Sequence, residues 1–117
     1  MFCMEEDLPD ALQPAWAPQR SGLAAAVAAH AFGVTLEEMR SATRGQARIA
    51  LARQVAMYLS CTVFGMTLSE VGHAFMRHKA TAHHAMHRVE NLRDDANFDR
   101  SLHFLEATLR SAAGRGA

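Results

Sequence analysis

Apolar residues recur along this chain at intervals of three and four, the spacing that gathers side chains on one face of an α-helix. Leu23, Val27, Ala31 and Phe32 form one such set, and Ile49, Ala52, Val55, Ala56, Leu59 and Val63 form a longer one. Ala82, Ala85, Val89 and Leu92, with Met86 beside them, form a third, and Phe98, Leu102, Leu105 and Leu109 a fourth. The polar residues between them supply stop and start signals. Ser21 reads as the N-cap of a first helix and Gly33 as the glycine that ends it. Thr35-x-x-Glu38 and Thr67-x-x-Glu70 are capping boxes, each opening a short helix, the second ending near Phe75. Ser41 to Gly45 reads as a loop, followed by a long helix from about Gln46 to Phe64 that Gly65 stops. Met76 to His78 turn the chain into a helix from about Lys79 to Arg93, and a last helix starts near Asn97. The pattern predicts an all-α domain of about six helices over residues 20–112. It is flanked by an acidic arm over 1–19, where Pro9, Pro14 and Pro18 break helices, and by a frayed tail over 113–117.

Composition agrees with a small helical core. The chain has 117 residues, half of them hydrophobic and only 7% aromatic, so Ala, Leu, Val and Met must fill the interior. Its two cysteines, Cys3 and Cys61, make no CxxC and no ligand set, which fits a reduced, cytoplasmic setting. MFCMEEDLPD has neither the basic region nor the apolar run of a signal peptide. GLAAAVAAHAFGV is too short to span a bilayer, so no membrane is expected. A formal net charge of zero hides an uneven distribution. In residues 1–34 Glu5, Glu6, Asp7 and Asp10 outweigh Arg20. In residues 35–92 Arg40, Arg44, Arg48, Arg53, Arg77, Lys79 and Arg88 outweigh Glu37, Glu38, Glu70 and Glu90. The basic middle also holds five of the seven histidines, in the stretch HAFMRHKATAHHAMH from His73 to His87. Such a surface suits a polyanion.

Two helices joined by a three-residue turn suggest a helix-turn-helix. The motif needs a small residue where the second helix crosses close to the first, and Gly72 supplies it. It needs a left-handed residue in the turn, usually glycine. Met76 stands there, at a cost of about 1 kcal/mol. It needs small or apolar residues facing inward on the second helix, and Ala82 and Ala85 fit.

At this point AFGVTLEEMRSATR, RQVAMYL, TLSEVGHAF and HRVENLRDD, from about Ala31 to Leu109, resemble the C-terminal DNA-binding domain of the bacterial replication initiator family DnaA. The stretch Arg53 to Leu59 is similar to a run the family writes as Arg-Gln-(Ile/Met/Val)-Ala-Met-Tyr-Leu. The resemblance implies a Trp-repressor-like helix-turn-helix fold, expected as a monomer. It also implies double-stranded DNA as partner and a nucleoid-associated place in the cytoplasm. No GxxxxGK[ST] loop occurs in the chain, so no ATP site and no cofactor are expected. By the resemblance Arg53 enters the minor groove, and Arg40 and Arg44, in the loop before the long helix, contact phosphates, with Arg48 and Arg88 adding charge. The family's base-reading run, similar to Gly-Arg-Asp-(His/Arg)-Thr-Thr-Val, is altered here. Met76 takes the Gly position and Arg77 keeps the Arg. His78 replaces Asp, Lys79 replaces His or Arg, Ala80 replaces the first Thr, Thr81 keeps the second, and Ala82 replaces Val. His84 keeps a family histidine, and His87 lies one turn further on. Acceptors are lost and positive charge is gained, so backbone affinity should survive while sequence choice changes.

Other chemistries are less well supported. His83 and His87 are at i and i+4, and His84 and His87 at i and i+3, but no HExxH and no third ligand accompanies them, so no resident metal is expected. No nucleophile–base pattern occurs, so no enzyme is expected. The sequence thus leaves two readings. One is an ATPase-free regulator of replication or transcription that recognises DnaA-box-like duplex. The other is a DnaA-derived interaction module that has lost specific DNA recognition and binds a protein, through the acidic arm around Trp16.

Overall fold

The structure is a computed structural model and describes residues 17–40 and 46–116. Six α-helices account for nearly all of these residues: α1 (Ala17–Phe32), α2 (Leu36–Arg40), α3 (Ala47–Phe64), α4 (Leu68–Ala74), α5 (Lys79–Leu92) and α6 (Ala96–Gly116). No strand occurs among the described residues. The expected all-α, six-helix class is what the chain adopts. The arm over 1–16 with Trp16, and the loop 41–45 with Arg44, lie outside the described residues.

The local signals place most helix ends. Thr35 Oγ1 accepts from the Glu38 amide at 3.0 Å while Glu38 Oε1 accepts from the Thr35 amide at 2.8 Å. Thr67 and Glu70 repeat the exchange at 3.1 and 2.8 Å. Gly33 and Gly65 both stand left-handed, at φ 66° and 65°. At Gly65 the helix closes by bonds from the Gly65 amide to the Cys61 carbonyl and from the Met66 amide to the Ser60 carbonyl.

The start of α1 corrects the sequence reading. Ser21 is not its N-cap: the helix begins four residues earlier, at Ala17, and Ser21 is buried inside it. Pro18 does not break the helix because it falls in the first turn, where its missing N–H has no intrahelical partner to lose. The buried stripe of α1 also differs from the expected one. Ala24, Ala28 and Ala29 are buried, Leu23, Val27 and Phe32 only partly so, and Ala31 is exposed. The alanines let α1 lie close along α3, its main neighbour.

α3 is the axis of the fold and packs on every other helix. All residues from Val55 to Cys61 are buried, so the predicted stripe of Ile49, Ala52, Val55, Ala56, Leu59 and Val63 describes only part of its contacts. A helix surrounded on all sides loses the polar face that periodicity detects. Ser60 can be fully buried there because its hydroxyl donates to the Ala56 carbonyl at 2.9 Å. α6 covers one flank with Leu102, Leu105 and Leu109 and remains helical to Gly116, where fraying was expected.

Candidate nucleic-acid interface

The crossing of α4 and α5 decides which way the basic stretch faces. A Cβ built on Gly72 would stand 2.9 Å from the Arg77 carbonyl oxygen and 3.2 Å from the Lys79 nitrogen. Only glycine lets the turn fold back onto α4 at this distance. The Arg77 amide donates to the Gly72 carbonyl at 2.8 Å and closes the turn. Met76 adopts φ 56°, the only non-glycine residue at positive φ among those described, and its side chain is 83% exposed. The strain expected of a non-glycine residue there is therefore present and is not repaid by burial.

His78 then caps α5. Its Nδ1 accepts from the Ala80 amide at 3.0 Å, with the backbone extended at φ −69°, ψ 150°. An acceptor is what an N-cap requires, and neutral imidazole provides one through Nδ1. Behind the cap, Ala82, Ala85, Met86 and Val89 are buried. The opposite face presents Ala80, Thr81, His83, His84, His87, Arg88 and Asn91 to solvent, with Lys79 partly exposed at its start. The recognition-type helix of a helix-turn-helix has this form: small residues inward and a polar, cationic face outward.

Arg53 reaches this surface from α3. Its Nε donates to the Met39 carbonyl at 2.7 Å, so the end of α2 orients the guanidinium. Burial, and then the charge of Arg77, hold its pKa below the ordinary arginine value, though it remains a cation. Arg40 is exposed and, together with Met76, lines a pocket of about 230 Å³ between α1, α2 and the turn. Tertiary structure thus gathers Arg40, Arg53, and Arg77 with the start of α5 from three separate stretches of chain.

Residues 23–89, from α1 through most of α5, match the family model described as bacterial dnaA protein helix-turn-helix. The chain belongs to the bacterial DnaA helix-turn-helix family. It is similar to the chromosomal replication initiator protein DnaA of Desulfatibacillum aliphaticivorans, 41% identical over 75 residues, which is 63% of this chain and 16% of that protein. The DnaA of Anaplasma marginale is 40% identical over 81 residues, 68% of this chain and 17% of its own length. That of Pseudothermotoga lettingae is 36% identical over 66 residues, 56% and 15%. The chain therefore spans about a sixth of the length of these curated relatives.

Among the other sequence-predicted residues of this DnaA-family domain, Arg48 is exposed in the first turn of α3, and His84, His87 and Arg88 share a shallow hollow with Asn91 and Leu92. Arg44 lies outside the described residues. No helix among the described residues is long and apolar enough to cross a membrane. Nor do three or more His, Cys, Asp or Glu side chains gather there to hold a metal.

One polar cluster escaped the sequence reading. Arg93, just past α5, donates through Nε to Asp99 and through Nη1 to Tyr58 at 3.0 Å and Glu106 at 3.3 Å. Tyr58 Oη in turn donates to Glu90 Oε2 at 2.7 Å. Burial and the Glu90 bond push the Tyr58 hydroxyl up to about 12. Burial works against the Arg93 charge, but the bonds to Asp99 and Tyr58 outweigh it and raise its pKa. The cluster ties α3, α5 and α6 together. The one signal available was Tyr58 itself: a tyrosine in the middle of a buried helix needs a partner for its hydroxyl.

Proposed function

We propose that the chain is a double-stranded DNA-binding domain that reads DnaA-box-like sites from two sides. α5 enters the major groove with Lys79, Thr81 and His84 toward base edges, and Arg53 enters the adjacent minor groove. Arg40, Arg48, Arg77, His87 and Arg88 contact the phosphate backbone. The observation that carries this reading is the Gly72–Arg77–Lys79 close approach, which aims the polar face of α5 outward beside Arg53, in a chain of the DnaA helix-turn-helix family. The departures from the family's run then have defined places. His78 spends its Nδ1 acceptor on the helix cap, and exposed Ala80 offers a methyl group to a thymine in place of a hydroxyl. Positive charge is gained and acceptors are lost, so phosphate contacts contribute more and base contacts less.

Such a domain occupies or competes for sites without unwinding DNA and acts as a regulator of replication or transcription. With no phosphate-loop motif in this sequence, ATP hydrolysis forms no part of the proposal. Anisotropy titrations with box-containing and scrambled duplex, at two salt concentrations, test the reading. Tighter binding to the box, with affinity falling steeply with salt, is the expected result. Equal affinity for both duplexes removes the specific reading, and no binding at low salt removes DNA as partner. The protein-binding alternative draws on the altered run Met76, His78, Lys79 and Ala80 and on the arm around Trp16, which lies outside the described residues.

A further inference from the structure

On one shoulder of α5, His83 and His87 stand a single helical turn apart, both exposed. Their Nε2 atoms are 3.2 Å apart, and their rings cross edge to face at 79° with centroids 4.5 Å apart. Two neutral imidazoles can share one proton at this distance only if one Nε2 carries the hydrogen and the other a lone pair. The same distance is the bite of a chelate. Two imidazole nitrogens, each about 2.0–2.1 Å from a tetrahedral metal ion, lie roughly 3.3 Å from one another. A cation can therefore replace the shared proton with the two nitrogens at nearly the same separation, the rings turning so that both lone pairs converge on it, and the helix already holds both side chains on one face. The sequence reading stopped at two ligands. The structure adds that those two are already at the right separation.

We propose that His83 and His87 chelate one divalent late first-row transition-metal ion through their Nε2 atoms. Water fills its remaining positions. Imidazole ligands favour copper, nickel and zinc and offer nothing to magnesium or calcium, which take oxygen. Copper should still bind most tightly, as the usual order of divalent affinities dictates, although its tetragonal geometry sets neighbouring nitrogens about 2.8 Å apart and draws the two rings closer together. The ion clips two consecutive turns of α5, so it binds the folded helix better than the unfolded chain and stabilises the fold. No part of this depends on DNA, and it holds whether or not the duplex reading does.

The experiment uses the full chain, freed of metal by a chelator and without DNA, titrated calorimetrically with Cu²⁺, Ni²⁺, Zn²⁺ and Mg²⁺. Expected are one Cu²⁺ per chain, weaker Ni²⁺ and Zn²⁺, and no heat from Mg²⁺. The thermal midpoint should rise by on the order of 10 °C at a hundredfold excess over Kd, and the Cu²⁺ spectrum should show coupling to two nitrogens. His83→Gln and His87→Gln, both at exposed positions, should each weaken binding at least tenfold. His103→Gln, an exposed histidine on α6, should leave it unchanged. Unaltered Cu²⁺ affinity in His83→Gln overturns the site. So does a loss of binding in His84→Gln while His83→Gln keeps it, or metal uptake that survives both substitutions, which is an adventitious ion only.

Discussion

Arg53 and Arg93 are both partly buried arginines next to α5, and the fold treats them in opposite ways. Around Arg93 the chain assembles Asp99, Glu106 and the Tyr58 hydroxyl, and the cation is held more firmly than in water. Around Arg53 the largest influences are burial and the like charge of Arg77, and its cation is held less firmly. The first arrangement neutralises charge and locks three helices. The second sets two like charges near each other at a surface. The contrast lies in the surroundings, carboxylates and a hydroxyl around Arg93 and a like charge beside Arg53.

Removing Arg93 gives the sharpest break in this comparison. Arg93→Ala leaves the nearly buried Glu106 carboxylate without its partner and should cost about 3 kcal/mol of stability. Urea melts measure the loss, and box affinity per folded molecule should hardly change. Arg53→Ala should do the reverse. It gives up the bond to the Met39 carbonyl but relieves the like charge of Arg77, so stability should fall by less than in Arg93→Ala, while box binding should weaken by about 1–3 kcal/mol. An anisotropy titration showing parental affinity would detach Arg53 from the interface.

The turn allows finer tests. His78→Ala removes the acceptor for the Ala80 amide and should destabilise α5 by about 1 kcal/mol. His78→Asp should keep most of that stability, because a carboxylate also caps, and thermal melts of the two variants separate the cap from the ring. Met76→Gly should stabilise the fold by up to about 1 kcal/mol, since the exposed methionine side chain repays none of its left-handed strain. A clear loss in urea melts would show that the turn relies on the side chain. The last test concerns pH. Because the folded Tyr58 pKa is raised to about 12 from 10.0, the folded chain keeps a proton that the unfolded chain releases. Its contribution is full below about pH 10 and is lost as pH rises toward 12. Tyr58→Phe should flatten that alkaline fall in stability, measured by urea melts across the same range.

The sequence by itself determined whatever depends on neighbours within four or five residues. Thr35 and Thr67 opened helices and Gly33 and Gly65 ended them, because a cap is a bond between residues three apart or a backbone angle at one residue. Gly72 and Met76 were legible for the same reason: a close crossing and a left-handed turn each put a local demand on residue type. The start of α1 was not legible, because Ser21 is a good N-cap by type yet is buried against the rest of the fold. Nor was the all-round burial of α3, since a central helix shows no polar face for periodicity to find. Tertiary structure alone decided that Arg53 meets the Met39 carbonyl and the field of Arg77, and that Arg93 gathers Tyr58, Asp99 and Glu106. These arrangements depend on rotamers and on contacts across as many as 35 residues of chain. Composition, spacing and capping rules carry no record of such contacts, because their energy exists only once the helices have packed.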